Sequence, residues 1–213
     1  MMDSIQQDRL MQAVALELPG FSEDERQAVL SYLAPFEQLS AEKGQLMYHY
    51  QQPFNKAYLL LDGLVRSYSF AGEQEVNLRF LAAPSLVVPF YSIAEQIGQP
   101  RPSTSWLCSE SIECVQRCHF MSWPVSKLIN NLPHNSSAAL DNTLFYKLQA
   151  YMGAQHYLSM QQRLLMLQHK KAADRYQFFC SVMPLAVIEG MPDFHIASYL
   201  GLTPETLSRV KPK

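Results

Sequence analysis

Glu205, Thr206, Ser208 and Arg209 are short or planar polar side chains set close together, and jointly they could read the edges of DNA bases. An arginine can fork onto guanine, and a glutamate can accept from a cytosine amino group. Thr203, Thr206 and Ser208 suit phosphate oxygens, which fix register without reading sequence, and Lys211 adds a cation beside them. This chemistry requires a short helix whose polar edge enters the major groove, held by a second helix behind it.

The segment Asp193 to Pro212, DFHIASYLGLTPETLSRVKP, has the spacing of such a helix-turn-helix. Gly201 is the turn residue, suited to the left-handed conformation that ends a helix. Ala197 lies four residues earlier, where two steeply crossing helices leave room for only a small side chain. Ile196, Leu200, Leu202, Leu207 and Val210 fall on the inward faces. Asp193 is placed to cap the first helix and Thr203 the second, with Pro204 at the first helical position and Glu205 near the positive end of the helix dipole. A helical hairpin that only packs, or that binds a protein, remains the alternative. It is favoured by the brevity of the second helix before Pro212.

The 213 residues are 48% hydrophobic with a formal net charge of -2, enough apolar content for one large domain or two small ones. The charge is unevenly spread. Residues 160–213 carry seven Lys or Arg against four Asp or Glu, so the basic charge sits with the motif. So few cations would hold DNA weakly in a monomer, because affinity follows the number of phosphates neutralised; a dimer doubles the contacts. No apolar run approaches the ~20 residues a membrane span needs, and no signal peptide is apparent, which predicts a cytoplasmic protein without a membrane partner. Cys108, Cys114, Cys118 and Cys180 lack paired metal or disulfide spacing, so no metal or other cofactor is expected.

Upstream, residues 4–18 and 22–33 read as helices, the second opened by the capping box Ser22 and Glu25. From Phe36 to Trp123 short β-rich runs separated by turn residues predict a β-roll, with hairpin turns at Asp62-Gly63 and Ala71-Gly72. After Pro133 a long helix is expected over 135–158. Its Leu140, Leu144, Leu148, Tyr151, Gln155 and Leu158 recur at intervals of four or three, a stripe suited to a dimer seam or to packing on the chain's own roll. A further helix then leads toward Pro184. Lys170, Lys171 and Arg175 on it are candidate phosphate contacts or a solvated face.

The order of roll, long helix and C-terminal helix-turn-helix, with the strings Arg175-Tyr176, Phe178-Phe179 and Ile196 to Arg209, resembles the Crp-Fnr superfamily, that of the cyclic-AMP receptor protein and the fumarate and nitrate reduction regulator. The resemblance implies an α+β fold. Its parts would be an N-terminal cyclic-nucleotide-binding-domain-like roll (a double-stranded β-helix) in residues 1–134, a dimerisation helix in 135–158, and a winged-helix-like helix-turn-helix domain in 159–213. It further implies a homodimer that binds double-stranded DNA to regulate transcription, with RNA polymerase a candidate partner and no enzymatic activity. Family rolls hold a cyclic nucleotide through Phe-Gly-Glu followed by Arg-Ser-Ala or Arg-Thr-Ala. Here Val88-Pro89-Phe90 and Ser103-Thr104-Ser105 stand in those places, with the arginine displaced to Arg101. Without the ribose acceptor and a matched cation, tight binding of cyclic AMP or cyclic GMP is not expected. Arg101, Ser103 and Thr104 are left as a candidate anion site, and an unknown apolar effector could lie between Tyr91, Ile93 and the long helix. The iron-sulfur branch needs cysteines near the N-terminus, and none precedes Cys108. A cupin-like metal roll would need clustered ligands, and His49, His119 and His134 are scattered.

Overall fold

The computed structural model describes residues 4–97, 107–129 and 139–212. Two helices come first, α1 (Ser4–Glu17) and α2 (Glu23–Leu33). Ser22 and Glu25 form the capping box at the start of α2, each side chain meeting the other's backbone amide. At its other end the buried Lys127 ammonium donates to the carbonyls of Tyr32, Leu33 and Ala34, where a helix presents unsatisfied acceptors.

The strands are β1 (Glu37–Ala41), β2 (Leu46–Tyr48), β3 (Lys56–Asp62), β4 (Leu64–Ala71), β5 (Gln74–Ala82), β6 (Ser85–Val87), β7 (Ser111–Cys114) and β8 (Cys118–Pro124). They pair antiparallel in two four-stranded sheets, β1-β8-β3-β6 and β2-β7-β4-β5, which face each other as a roll. Gly72 (φ 65°) turns β4 into β5 as the expected hairpin, whereas Gly63 (φ 107°), expected to turn a second hairpin, instead passes the chain from β3 in one sheet to β4 in the other; both conformations are open to glycine at little cost. Of the β-rich run 104–110, Leu107 and Cys108 make only single bridges, to Pro53 and Tyr50. Strand alternation divides the side chains. Leu60, Val87, Ile112 and Phe120 fill the interior, whereas Ala57, Leu59, Met121 and Trp123 point outward beneath α1 and α2.

The remaining helices are α3 (Phe90–Ile97), α4 (Ser126–Ile129), α5 (Asn142–Gln168), α6 (Ala172–Val182), α7 (Leu185–Gly190), α8 (Asp193–Leu200) and α9 (Pro204–Val210). A break near Ser159-Met160 is expected from the sequence, yet α5 runs on unbroken to Gln168. No glycine or proline lies between Ala154 and His169, and the Leu, Met, Gln and Arg residues of 160–168 are good helix formers. Residues 135–138 of the expected helix lie outside those described, and Asp141 caps α5 by accepting from the Leu144 amide at 3.1 Å. Among the described residues no helix is long and apolar enough to cross a membrane.

Candidate nucleic-acid interface

The spacing around Gly201 folds as a helix-turn-helix. Gly201 is left-handed (φ 63°, ψ 38°), and the amides of Gly201 and Leu202 close the end of α8 on the carbonyls of Ser198 and Ala197 at 3.2 and 2.9 Å. Arg175 completes this end from α6, its Nη1 donating to Leu200 O at 3.1 Å and its Nε to His169 O at 2.8 Å. Its guanidinium therefore holds the turn in place. Thr203 caps α9 by accepting from the Thr206 amide at 3.2 Å, and Pro204 opens the helix. Ile196, Ala197, Leu200 and Leu207 are fully buried, while Leu202 and Val210 are partly so.

The outer edge of α9 is solvent-facing: Glu205, Ser208 and Arg209 are exposed, Thr203 lies at its head and Thr206 is half-buried. The Glu205 amide and the Thr203 hydroxyl hold the Glu205 carboxyl below its ordinary range, so it is an acceptor at neutral pH. One capping expectation differs from the structure. Asp193 is already the first residue of α8 and makes no cap; its Oδ1 accepts from Lys211 Nζ at 2.6 Å. Lys211 thus ties the end of α9 to the start of α8. Both partners are more than about a third exposed or close to it, and such a pair costs little to open. Lys170 and Lys171 are exposed at the start of α6.

The motif is seated on the roll through α8. Tyr199 meets Phe80 of β5 with ring centroids 4.8 Å apart, and Phe179 of α6 meets Phe80 at 6.4 Å. Beside them runs a buried polar chain. Asn77 of β5 accepts from Arg66 Nη1 at 3.0 Å and lies 3.4 Å from His195 Nδ1 through its own Nδ2, while the Asn77 amide donates to Ser198 Oγ at 3.3 Å. Arg66 is in turn held by Glu75 and Glu113. Burial, with the Arg66 charge nearby, lowers the His195 pKa to about 4, so the imidazole is neutral. None of this network was read from the sequence, because His195 and Asn77 are 118 residues apart and carry no local motif.

The expected dimer stripe requires correction. Leu140 and Leu148 are buried in the protomer's own core with α1, α2 and the outer face of the roll, and Leu144 and Tyr151 pack against that core. Gln155 reaches the rim of a cavity there, and Leu158 is half exposed where the stripe runs past the core. The opposite face of α5 carries exposed Tyr146, Ala150, Gly153, Tyr157, Gln161 and Leu164, also at intervals of four or three. Since α5 is apolar on both sides, its period alone could not say which side meets the core.

Arg101, Ser103 and Thr104 lie outside the described residues, as does His134. Within the roll the buried Arg79 pairs with the buried Glu110 at 2.9 Å, and Glu110 also accepts from Ser67. Of the residues expected to flank an apolar effector, Tyr91 is 60% exposed and Ile93 is packed into the core. His119 meets Ser40 Oγ at 2.9 Å, and among the described residues no three His, Cys, Asp or Glu side chains converge as a metal site.

No protein-family model matches this chain, and no curated protein sequence does. Solved structures do. FixK2 from Bradyrhizobium japonicum aligns over 83% of each chain at 21% identity with a TM-score of 0.64. The c-di-GMP responsive global regulator CLP of Xanthomonas campestris is similar over 86% of this chain and 88% of its own, at 14% identity and TM-score 0.57. A protein from Eubacterium rectale assigned to the Crp/Fnr family of transcriptional regulators covers 90% of this chain and 82% of its own, at 14% identity and TM-score 0.56. Antiparallel roll, long helix and C-terminal helices thus recur together, and the chain has a Crp-Fnr-like cyclic-nucleotide-binding fold.

Proposed function

We propose that the protein is a homodimeric, sequence-specific DNA-binding regulator of transcription. One observation carries this reading: α9 buries Leu207 completely while leaving Glu205, Ser208 and Arg209 exposed on the opposite edge, so a rigid helix presents base-reading groups to solvent. Arg209 and Glu205 would contact base edges. Thr203, Thr206, Ser208 and, after release from Asp193, Lys211 would contact phosphates. Similarity in fold to structures whose names describe regulators supports the same reading.

The dimer would form through Tyr146, Tyr157 and Leu164, with Ala150 and Gly153 allowing close approach. Exposed large apolar side chains in a row mark an interaction face, and two copies of the motif double the phosphate contacts. Residues up to α4 would act as the sensor, α5 as the pairing helix and α6 to α9 as the DNA-binding unit. RNA polymerase would be the machinery acted on, in the cytoplasm, and no catalysis is ascribed to the chain. The roll would bind cyclic AMP weakly or not at all. Selection of the purified protein on random duplexes at fixed salt, with and without cyclic AMP, tests these points. A two-fold symmetric site enriched equally in both conditions is expected. No enriched sequence would leave the alternative, a helix-turn-helix that binds a protein partner.

A further inference from the structure

Cys114 and Cys118 meet at the end of the roll that supports the helix-turn-helix. Their spacing in sequence marks no disulfide, but Cys114 ends β7 in one sheet, Cys118 begins β8 in the other, and only residues 115–117 lie between them. Cys114 pairs with Val65 in its sheet and Cys118 with Ala41 in the other, so both backbones are fixed, and both side chains lie in the core that fills the roll. There the two thiols are hydrogen-bonded to each other. Cys118 Sγ also lies 3.5 Å from Leu64 O and 3.3 Å from Gln116 O. Gly63 makes this approach possible, since a Cβ there would come within 2.6 Å of the sulfur.

Neither thiol is exposed, and a buried cysteine is ordinarily an inert apolar side chain. This pair differs in two respects. Each sulfur touches the other, and the loop that covers them is at the surface, with Gln116 exposed and the Arg117 side chain 65% exposed. Their shared hydrogen bond favours the thiolate at Cys118, the reactive form, and keeps the proton on Cys114. Cys108 lies in the same core, but burial pushes its thiol up to about 12, so it stays protonated. Cys180 lies on α6, hydrogen-bonded with Tyr176.

Leu64 links the pair to the motif. Its carbonyl accepts from the Val115 amide at 2.8 Å, and its side chain belongs to the apolar core shared with Val187 and Met191. A Cβ on Gly190 of α7 would lie 3.3 Å from Leu64 Cδ2. An S–S bond of about 2.0 Å is far shorter than the contact of two hydrogen-bonded sulfurs. Closing one would draw the ends of β7 and β8 together and remove the Cys118 S–H that faces Leu64 O.

We propose that Cys114 and Cys118 are a redox-active pair which a peroxide, reaching them through the loop 115–117, closes to an intramolecular disulfide, so shifting the seat of α7. The Cys118 thiolate attacks one oxygen of hydrogen peroxide and the O–O bond breaks. The released hydroxide takes up the proton given up by Cys118 and leaves as water, with Cys118 now a sulfenic acid. Cys114 sulfur then attacks the Cys118 sulfur, the S–O bond breaks, and hydroxide leaves with the Cys114 proton as a second water. Two thiols are thus oxidised and one peroxide is reduced. Bond formation does not depend on DNA recognition.

The test exposes the folded full-length protein to hydrogen peroxide without DNA, alkylates the remaining thiols, and cuts the unreduced chain after Glu113, Arg117 and Lys127. Peptides 114–117 and 118–127 should remain joined, lighter by two hydrogens than their sum, and should separate on reduction. The amide signals of Leu64 and Val187 in ¹⁵N spectra should shift as the bond forms. In Cys114→Ser, oxidation should stop at a Cys118 sulfenic acid that dimedone traps, and Cys118→Ser should react with peroxide about tenfold more slowly than wild type. Peptides that come apart, a bond to Cys108 or Cys180 instead, or a joined product formed only after unfolding in urea would each overturn the proposal. Unmoved amide signals would overturn its link to α7. Should a serine variant not fold, the peptide map of the wild-type protein still decides. Duplex selection is read separately, so either assignment can fail without the other.

Discussion

Protonating His195 should loosen the helix-turn-helix from the roll. His195 is 8% exposed and its Nδ1 faces the Asn77 amide at 3.4 Å, so a proton on Nδ1 would set donor against donor, close to the Arg66 guanidinium. Its pKa is lowered from 6.5 to about 4, first by burial and then by Arg66. The unfolded chain therefore takes up this proton near pH 6.5, whereas the folded chain resists until about pH 4. The stability associated with neutral His195 is complete above the upper value and is lost as pH falls through this window. Each pH unit is worth about 1.4 kcal/mol, which gives a loss of about 3 kcal/mol over the window. Urea unfolding of wild type and His195→Gln between pH 7.5 and 4.5 measures it. Carboxylates and His156, whose pKa burial also lowers, titrate in both proteins. The difference in slope therefore isolates His195. Wild type should lose about 1 kcal/mol more per pH unit than the variant below pH 6.5. Parallel pH profiles would refute the assignment of a buried neutral imidazole at this junction.

Gly201→Ala should cost about 1 to 2 kcal/mol in thermal unfolding, the penalty of a left-handed residue with a side chain. The added carbon would make only ordinary contacts, to Arg175 Nη1 at 3.5 Å and Leu167 Cδ2 at 3.7 Å, so backbone strain is the cause, and an unchanged melting temperature would contradict it. Tyr157→Glu with Leu164→Glu should weaken self-association in sedimentation while leaving the melting temperature of the protomer nearly unchanged. Leu148→Glu should do the opposite, since it places a charge in the protomer's core.

The parts of the fold that depend on neighbours in sequence were legible beforehand. The capping box of Ser22 and Glu25, the hairpin turn at Gly72, and the order Ala197, Gly201, Thr203, Pro204 each act within a few residues, and each is present in the structure. The Asp62-Gly63 hairpin is not, because the strands it joins pair with distant partners in opposite sheets. Features set by distant partners were not. Asp193 has the composition of a cap, but Lys211 claims its carboxylate from the far end of the motif. Leu140 and Leu148 have the period of a seam, but α1 and α2 cover them first. The spacing of Tyr146, Tyr157 and Leu164 was the available signal for the second face, though only the packing of the first shows that it is left uncovered.

The base-reading role of α9 is tested most directly by titrating wild type and Arg209→Ala onto the duplex that wild-type protein enriches and onto single-base variants of it, at one salt concentration. Arg209 is exposed and makes no part of the core, so the variant should fold normally. Affinity for the enriched duplex should fall by about 1 to 3 kcal/mol, with discrimination relaxed at one position in each half-site. Unchanged affinity and unchanged discrimination would contradict sequence reading by this helix.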